Sequence, residues 1–368
     1  MENEQKSGFA DGEIICKQCG AKLTFKPGTN HLNCEFCGAS NEIEIKQAVI
    51  EEIDYLSFIN NKAQSSNTIE ILTIKCDTCG AQTTFAENVV AQSCDFCDSP
   101  LVAKSGETSK IIEPESMLTF KVSDKEGQDL FKKWLKKIWF APNDLKKYAY
   151  QKEKLRGMYL PYWTYDSNTT TSYSGQRGDN YQTQEQYTND KGERSTRTVT
   201  KIRWSHASGT VHNTFDDVLV VASNSLPKKY LYNLEPWDLK SLVPFDRKFV
   251  AGFKAESYGI DVQQGFETAK DIMQDEIDTT IRRDIGGDHQ QISSKNTDYK
   301  NIKFKHILLP IWLSAYRYNN KVYRFMINGR TGEVQGERPY SWIKITLAVL
   351  LAIAVIAVVV YLVDKYGS

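Results

Sequence analysis

Eight cysteines stand in four CxxC pairs, all before residue 100, and the second four repeat the first. Adding 60 to Cys16, Cys19, Cys34 and Cys37 gives Cys76, Cys79, Cys94 and Cys97. Nine of the 22 positions from Cys16 to Cys37 match their counterparts: the four cysteines, Gly20/Gly80, Ala21/Ala81, Thr24/Thr84, Phe25/Phe85 and Phe36/Phe96. Each unit therefore reads CxxC, 14 residues, CxxC. Two such knuckles can set four thiolates tetrahedrally at about 2.3 Å around one zinc ion. Two structural zinc sites are expected, with iron in a rubredoxin-like site as the competing reading of the same ligands. A closed four-thiolate site leaves no open coordination position, which argues against zinc hydrolysis at either unit. With every cysteine used as a ligand, none is left for thioredoxin-like exchange. Gly20, Gly80 and Gly38 follow the second cysteine of a knuckle, where a positive φ lets amides point at sulfur, and Asp98 takes that place in the fourth. Phe25, Phe85, Phe36 and Phe96 are expected to supply the apolar contacts of units too small for a core of their own.

The opposite end carries the second constraint. Ile345 to Val363 is a run of 19 residues without a charge. As a helix it spans about 28 Å, the thickness of a bilayer core. Tyr340, Trp342, Tyr361 and Tyr366 flank it, with Lys344 and Lys365 placed to snorkel outward. A buried core helix would normally keep a polar stripe, and this one is apolar all round. A single transmembrane helix over 343–363 is expected. MENEQKSGFADGEII has no apolar stretch of the kind a secretory signal needs. Arg330, Arg338 and Lys344 precede the span and only Lys365 follows it, which predicts a single-pass cell-membrane protein with its N-terminal domains in the cytoplasm. Thiolate metal sites fit that reducing compartment.

The 368 residues are too many for one compact core. The expected fold is multidomain: a β zinc ribbon at 14–45, a linker at 46–73, a second zinc ribbon at 74–103, an α+β domain with a largely antiparallel sheet at 112–338, then the span. NNKAQSSNT at 60–68 and SGETSK at 105–110 read as polar linkers that let the ribbons reorient. Lys plus Arg and Asp plus Glu are both 46, so net charge gives no reason to seek a phosphate backbone. In the first ribbon Lys17, Lys22 and Lys26 balance Glu35, Glu42 and Glu44; in the second Lys75 faces Asp77, Glu87, Asp95 and Asp98. Nucleic acid is an unlikely partner on that count.

In the α+β region, Ser123 and Glu126 form a capping box before LFKKWLKKIWF. Leu130, Trp134, Leu135 and Ile138 give that helix an apolar face, and Lys132, Lys133, Lys136 and Lys137 a basic one. The basic face is either a solvated surface or an attraction for anionic lipid or an acidic partner. Residues 158–222 alternate around the turn signal NDKGE at 189–193, which predicts a long polar hairpin. Asp261 and Gln264 cap a later helix whose Phe266, Ala269, Met273, Ile277 and Ile281 share a face, and Gly286-Gly287 stops it. Strands follow at about 303–318 and 321–328 around Asn319-Asn320. LPYW at 160 and LPIW at 309 suggest paired sheet elements, with Trp163 and Trp312 in core packing.

The chain resembles the small TFIIB-type zinc ribbons. More fully, it resembles bacterial membrane proteins that join such ribbons to a cytosolic region and a C-terminal span. Besides the cysteines, the resemblance is carried by YLPYWTYD at 159–166, by NLEPWDLKSLVPFDRKFVAGFKAESYGID at 233–261, and by LPIWLSAYRYNNKVYRFMINGRTGEVQGE at 309–337. Such proteins are often labelled replication-restart helicase-like, and the resemblance implies a link to phage-shock-type membrane maintenance. The helicase label meets a direct objection: a P-loop needs GxxxxGK[ST], and this chain has no Gly-Lys dipeptide. There is likewise no GxSxG, HExxH or Gly-rich dinucleotide loop. His206 and His212, with Asp216, Asp217 and Asp288, are the remaining candidates for polar chemistry, and read as ordinary strand residues. The expectation is a non-enzymatic adaptor with membrane-associated protein partners and an oligomeric state that the sequence leaves open; the alternatives are a membrane-tethered nucleic-acid-binding factor and an enzyme with an unrecognised site in the α+β domain.

Overall fold

The computed structural model describes residues 14–45, 50–60, 68–78, 81–84, 91–94, 96, 99–102, 107–142, 155–188, 192, 194–318 and 321–366. Cys79, Cys97, Gly80, Phe85, Asp98, the 189–191 and 319–320 turns, and 61–67 of the first linker lie outside them. Near the N-terminus, β1 (Leu23–Phe25), β2 (His31–Cys34) and β3 (Ser40–Glu42) form a three-stranded antiparallel sheet. Within the stretch read as linker, β4 (Ile53–Asp54) leads into a helix at Tyr55–Asn60. β5 (Thr68–Lys75), β6 (Gln82–Thr84), β7 (Ala91–Ser93), β8 (Pro100–Val102) and β9 (Glu107–Ile112) then make two small sheets, β6-β5-β9 and β7-β8.

The rest is built on one large, largely antiparallel sheet. Its strands are β10 (Ser116–Met117), β11 (Arg156–Thr188), β12 (Arg194–Val221), β13 (Val243–Pro244), β14 (Lys254–Ala255), β15 (His289–Tyr318), β16 (Lys321–Asn328) and β17 (Val334–Gly336), with β4 joining from upstream. β11 and β12 are the expected hairpin, paired from Tyr162 opposite Val221 to Thr188 opposite Arg194 with one shift of register between Tyr165 and Ser167. β15 runs antiparallel on the other side of β11, with Leu160 opposite Leu309, so the two LP-x-W segments do pair. β15 begins at His289, well before the expected 303. Its first half, HQQISSKNTDYKN, is mostly polar, with Ile292 and Tyr299 packed against the core, and pairing with β11 back to Gly178 makes it a strand.

The long helix Val262–Ile285 lies across this sheet. Asp261 accepts from the amide of Gln264 and Gln264 reciprocates, which satisfies two orphan donors at the helix start. Phe266, Ala269, Met273, Ile277 and Ile281 are all buried, as their spacing predicts, against a cluster containing Trp163, Tyr165, Val220 and Phe304. Each large side chain so covered contributes about 1.5–3 kcal/mol. Gly286, at φ 65°, ends the helix in a conformation that side chains with a Cβ resist.

Neither cysteine unit hangs free of this domain. Phe25 is buried and meets the ring of Phe249 edge-on at 5.3 Å, and its amide donates to the Ala251 carbonyl at 2.9 Å. The first unit thus belongs to an apolar cluster with Tyr159, Leu308 and Trp312. Ile74, Cys76, Cys94, Phe96 and Leu101 share a different cluster with Met158, Leu160, Tyr162 and Leu309. Successive strand residues point to opposite faces, so the two units flank opposite faces of the β11/β15 pair. The polar stretches read as flexible linkers are consistent in composition with loops, yet Ile53, Tyr55 and Phe58 between the units pack beside Phe304, and Glu107–Lys110 of the second stretch pairs with β5.

The final helix is Trp342–Tyr366, with no buried residue and no charged side chain between Ile345 and Val363. It is long and apolar enough to cross a membrane.

Candidate metal centre

The first four cysteines are brought together by two hairpin knuckles. In each, the first cysteine's amide donates five residues ahead: Cys16 to the Ala21 carbonyl at 2.7 Å and Cys34 to the Ala39 carbonyl at 2.8 Å. Gly20 and Gly38 both sit at φ 75° and donate back to the carbonyls of Cys16 and Cys34 at 2.9 and 3.0 Å. That positive φ is why glycine follows each knuckle. The four Sγ atoms all lie within 4.8 Å of one another, with Cys16 to Cys37 at 3.6 Å and Cys19 to Cys34 at 3.4 Å. Tetrahedral zinc at 2.3 Å from each sulfur would put them about 3.8 Å apart. This group could hold a metal ion.

Its electrostatics favour a cation. The Gln18 and Cys19 amides aim at Cys16 and pull its thiol below the ordinary value. The Cys37 and Phe36 amides, against some burial, bring Cys34 down to about 6. The Ala21 amide also favours the Cys19 thiolate, but bonding with the Cys34 and Cys37 sulfurs outweighs it and pushes Cys19 up to about 12. Two thiolates form readily, therefore, and crowding resists the other two until a positive ion sits between them.

Of the second set, Cys76 and Cys94 are described and buried. Their amides make the same bonds, Cys76 to the Ala81 carbonyl at 2.8 Å and Cys94 to the Ser99 carbonyl at 2.7 Å. Pairing repeats as well. Ile15 bridges Lys22 as Lys75 pairs Gln82, and Asn33 opposes Ser40 as Ser93 opposes Pro100, each shifted by 60 residues. Phe36 departs from expectation. It is 83% exposed, whereas Phe96 is 1% exposed. The knuckle tip of the first unit points away from the domain, so similar local sequence does not dictate similar burial.

The polar candidates of the large sheet behave differently. His206 and His212 are exposed on β12, and His212 Nδ1 lies 3.2 Å from the Thr170 hydroxyl. Asp288 accepts from the Asn180 amide at 2.7 Å. Asp216 joins a group invisible in the sequence, with Glu52 and Asp166 carrying carboxylate oxygens within 4.8 Å of one another. β4 brings Glu52 in, and a register shift beside Tyr165 turns Asp166 toward it. Burial, with the Glu52 carboxylate adding to it against the Asp217 amide, pushes Asp166 up to about 6. Lys303 and Lys305 already answer this charge: they lie 3.0 and 3.3 Å from Glu52, and Lys305 lies 2.6 Å from Asp217. The arrangement locks β4 onto the sheet and leaves little need for a metal ion. More than a hundred residues separate Glu52 from Asp166, so no spacing rule could have flagged it.

The chain is similar to the uncharacterized protein YdjG of Bacillus subtilis (strain 168), with 26% identity over 327 residues covering 89% of each chain. No family model matches the chain, and no solved structure matches it.

Proposed function

We propose that the protein is a membrane-anchored zinc-ribbon adaptor, held at the cytoplasmic face by its C-terminal helix and binding membrane-associated proteins, in keeping with the envelope-maintenance role that its family resemblance implies. On this reading both cysteine sets hold structural zinc, and the chain performs no turnover. The observation that carries it is the exposure of Phe36 at the tip of a four-cysteine knuckle whose base is fixed to the sheet domain through Phe25 and Phe249. An outward-facing aromatic ring covers little within this chain, and aromatic side chains are favoured anchors at protein–protein contacts. Tethering adds to this: partners confined to the same membrane layer meet it at raised effective concentration, so a weak contact suffices. Crosslinking in native membranes followed by capture of the full chain is expected to yield membrane-associated proteins, in amounts that fall severalfold with Phe36→Ala. An undiminished yield removes the knuckle from the reading. Elemental analysis finding iron, or fewer than two metal ions per chain, would overturn the two-zinc assignment.

A further inference from the structure

The basic helix read from LFKKWLKKIWF spans Asp124–Lys137 and buries Phe131 and Leu135 against the sheet domain, with Ile138 following them. Its opposite face presents Lys132, Lys133, Lys136 and Lys137 to solvent. The chain that leaves it is bound to the base of the apolar helix. Lys344 Nζ donates to the carbonyls of Trp139 at 3.0 Å and Ala141 at 2.7 Å, and the Ser341 amide donates to the Phe140 carbonyl at 2.7 Å. Trp139 and Phe140 are thereby held beside the first turn of that helix, yet their own rings are outside the core. Trp139 is 73% exposed and Phe140 40%, with centroids 6.0 Å apart. Tyr340 and Trp342 are exposed next to them.

Two exposed rings that follow four lysines and are tied to the start of a span have one natural environment. An indole with its polar edge favours the headgroup layer, a phenyl ring beside it the boundary with the acyl chains, and nearby ammonium groups favour anionic phosphates. The negative charge already facing the lysines is modest. Asp129 lies 3.3 Å from Lys132, and Glu333 lines the shallow groove shared by Lys133, Lys136 and Lys137. No acidic residue falls between Leu130 and Pro142. We propose that residues 132–140 form a second membrane contact, in which Trp139 and Phe140 enter the headgroup layer and the four lysines bind anionic phospholipid headgroups. This rests on the reading of Trp342–Tyr366 as a span. Its consequence is an orientation: the anchor alone would let the sheet domain swivel, and a second contact fixes which face looks outward.

The test uses the full chain in phospholipid nanodiscs, of phosphatidylcholine alone or with a third of phosphatidylglycerol. Benzoylphenylalanine is placed singly at Trp139, at Ile353 within the span, or at Trp204 on the large sheet. The expected result is lipid crosslinking from 353 in both compositions, none from 204, and crosslinking from 139 that rises severalfold with phosphatidylglycerol. That rise should vanish with Lys132→Gln, Lys133→Gln, Lys136→Gln and Lys137→Gln combined, or in high salt. Crosslinks from 139 to protein only, or to lipid without regard to headgroup charge, overturn the proposal while the span stands. Absence of crosslinks from 353 overturns the span reading itself.

Discussion

The two cysteine units are related in sequence and share two strand pairings, but they occupy opposite faces of one sheet and expose different atoms. In the first, β1, β2 and β3 close on one another, and the unit meets the domain through Phe25 while Phe36 faces solvent. In the second, β5 reaches past the unit to pair with β9, and Phe96 is buried among domain side chains. Two related sequences thus meet the sheet differently: Phe96 of the second is turned inward, and Phe36 of the first is turned outward. Local chemistry fixes the knuckle, and the neighbouring surface decides which side of it is covered.

The sharpest way to break this comparison is Cys34→Ser. Loss of one thiolate should release the ion from the first unit, and structural zinc contributes about 10–16 kcal/mol of apparent binding free energy in small ribbons. Because Cys34 and Phe25 share a cluster with Trp312 and Tyr159, the melting temperature of the sheet domain itself should fall, on the order of 10 °C. A domain melt that stays put while metal content drops would show that docking carries no energetic coupling.

Next come the aromatic pairs. Phe25→Ala and Phe96→Ala should each cost about 3–5 kcal/mol in denaturant unfolding, because each empties a filled core position. Phe36→Ala should change stability by less than about 0.5 kcal/mol. Equal costs at Phe36 and Phe96 would erase the distinction between the units.

A further difference is read by pH. Glu256 is buried near Tyr162, on the second unit's side of the sheet, where it accepts from the Ser225 hydroxyl. Burial, only partly offset by that bond, raises its carboxyl to about 8, against 4.5 when unhindered. The native state therefore holds a proton that the unfolded chain has released, so stability should decline as pH rises from about 5 to 8. Glu256→Gln should lessen that slope without abolishing it, because burial raises the Glu115 carboxyl to about 8 as well. If the slope is unchanged, another group is its source.

Much of this architecture was legible because it is local or periodic. The knuckles follow from CxxC spacing, the hairpin from alternation around NDKGE, and the long helix from Asp261, Gln264 and a row of buried apolar residues. Even the pairing of β11 with β15 was visible in the echo of LPYW by LPIW. Docking was not legible. Phe25 touches Phe249 across more than two hundred residues, and Glu52 meets Lys303 and Lys305 at similar distance. Composition marks such stretches as polar without saying what lies opposite. The solvent-facing Phe36 was misread for the same reason, since a phenylalanine in a small unit reads as core until its surroundings are known.

The placement of Phe25 has a consequence for how the molecule is made. Its partners Phe249 and Phe253 are synthesised more than two hundred residues later, and Trp312, which joins the same cluster, later still. The first knuckle pair can close around an ion as soon as Cys37 emerges, because every group it needs is local. It must then wait, with Phe25 uncovered, until β15 has been added beside β11. During that interval the nascent chain shows an apolar ring at each end of the unit, Phe25 and Phe36, where the finished protein shows only the second. The earliest segment to acquire its shape is among the last to reach its seat, and the burial of Phe25 marks the completed molecule.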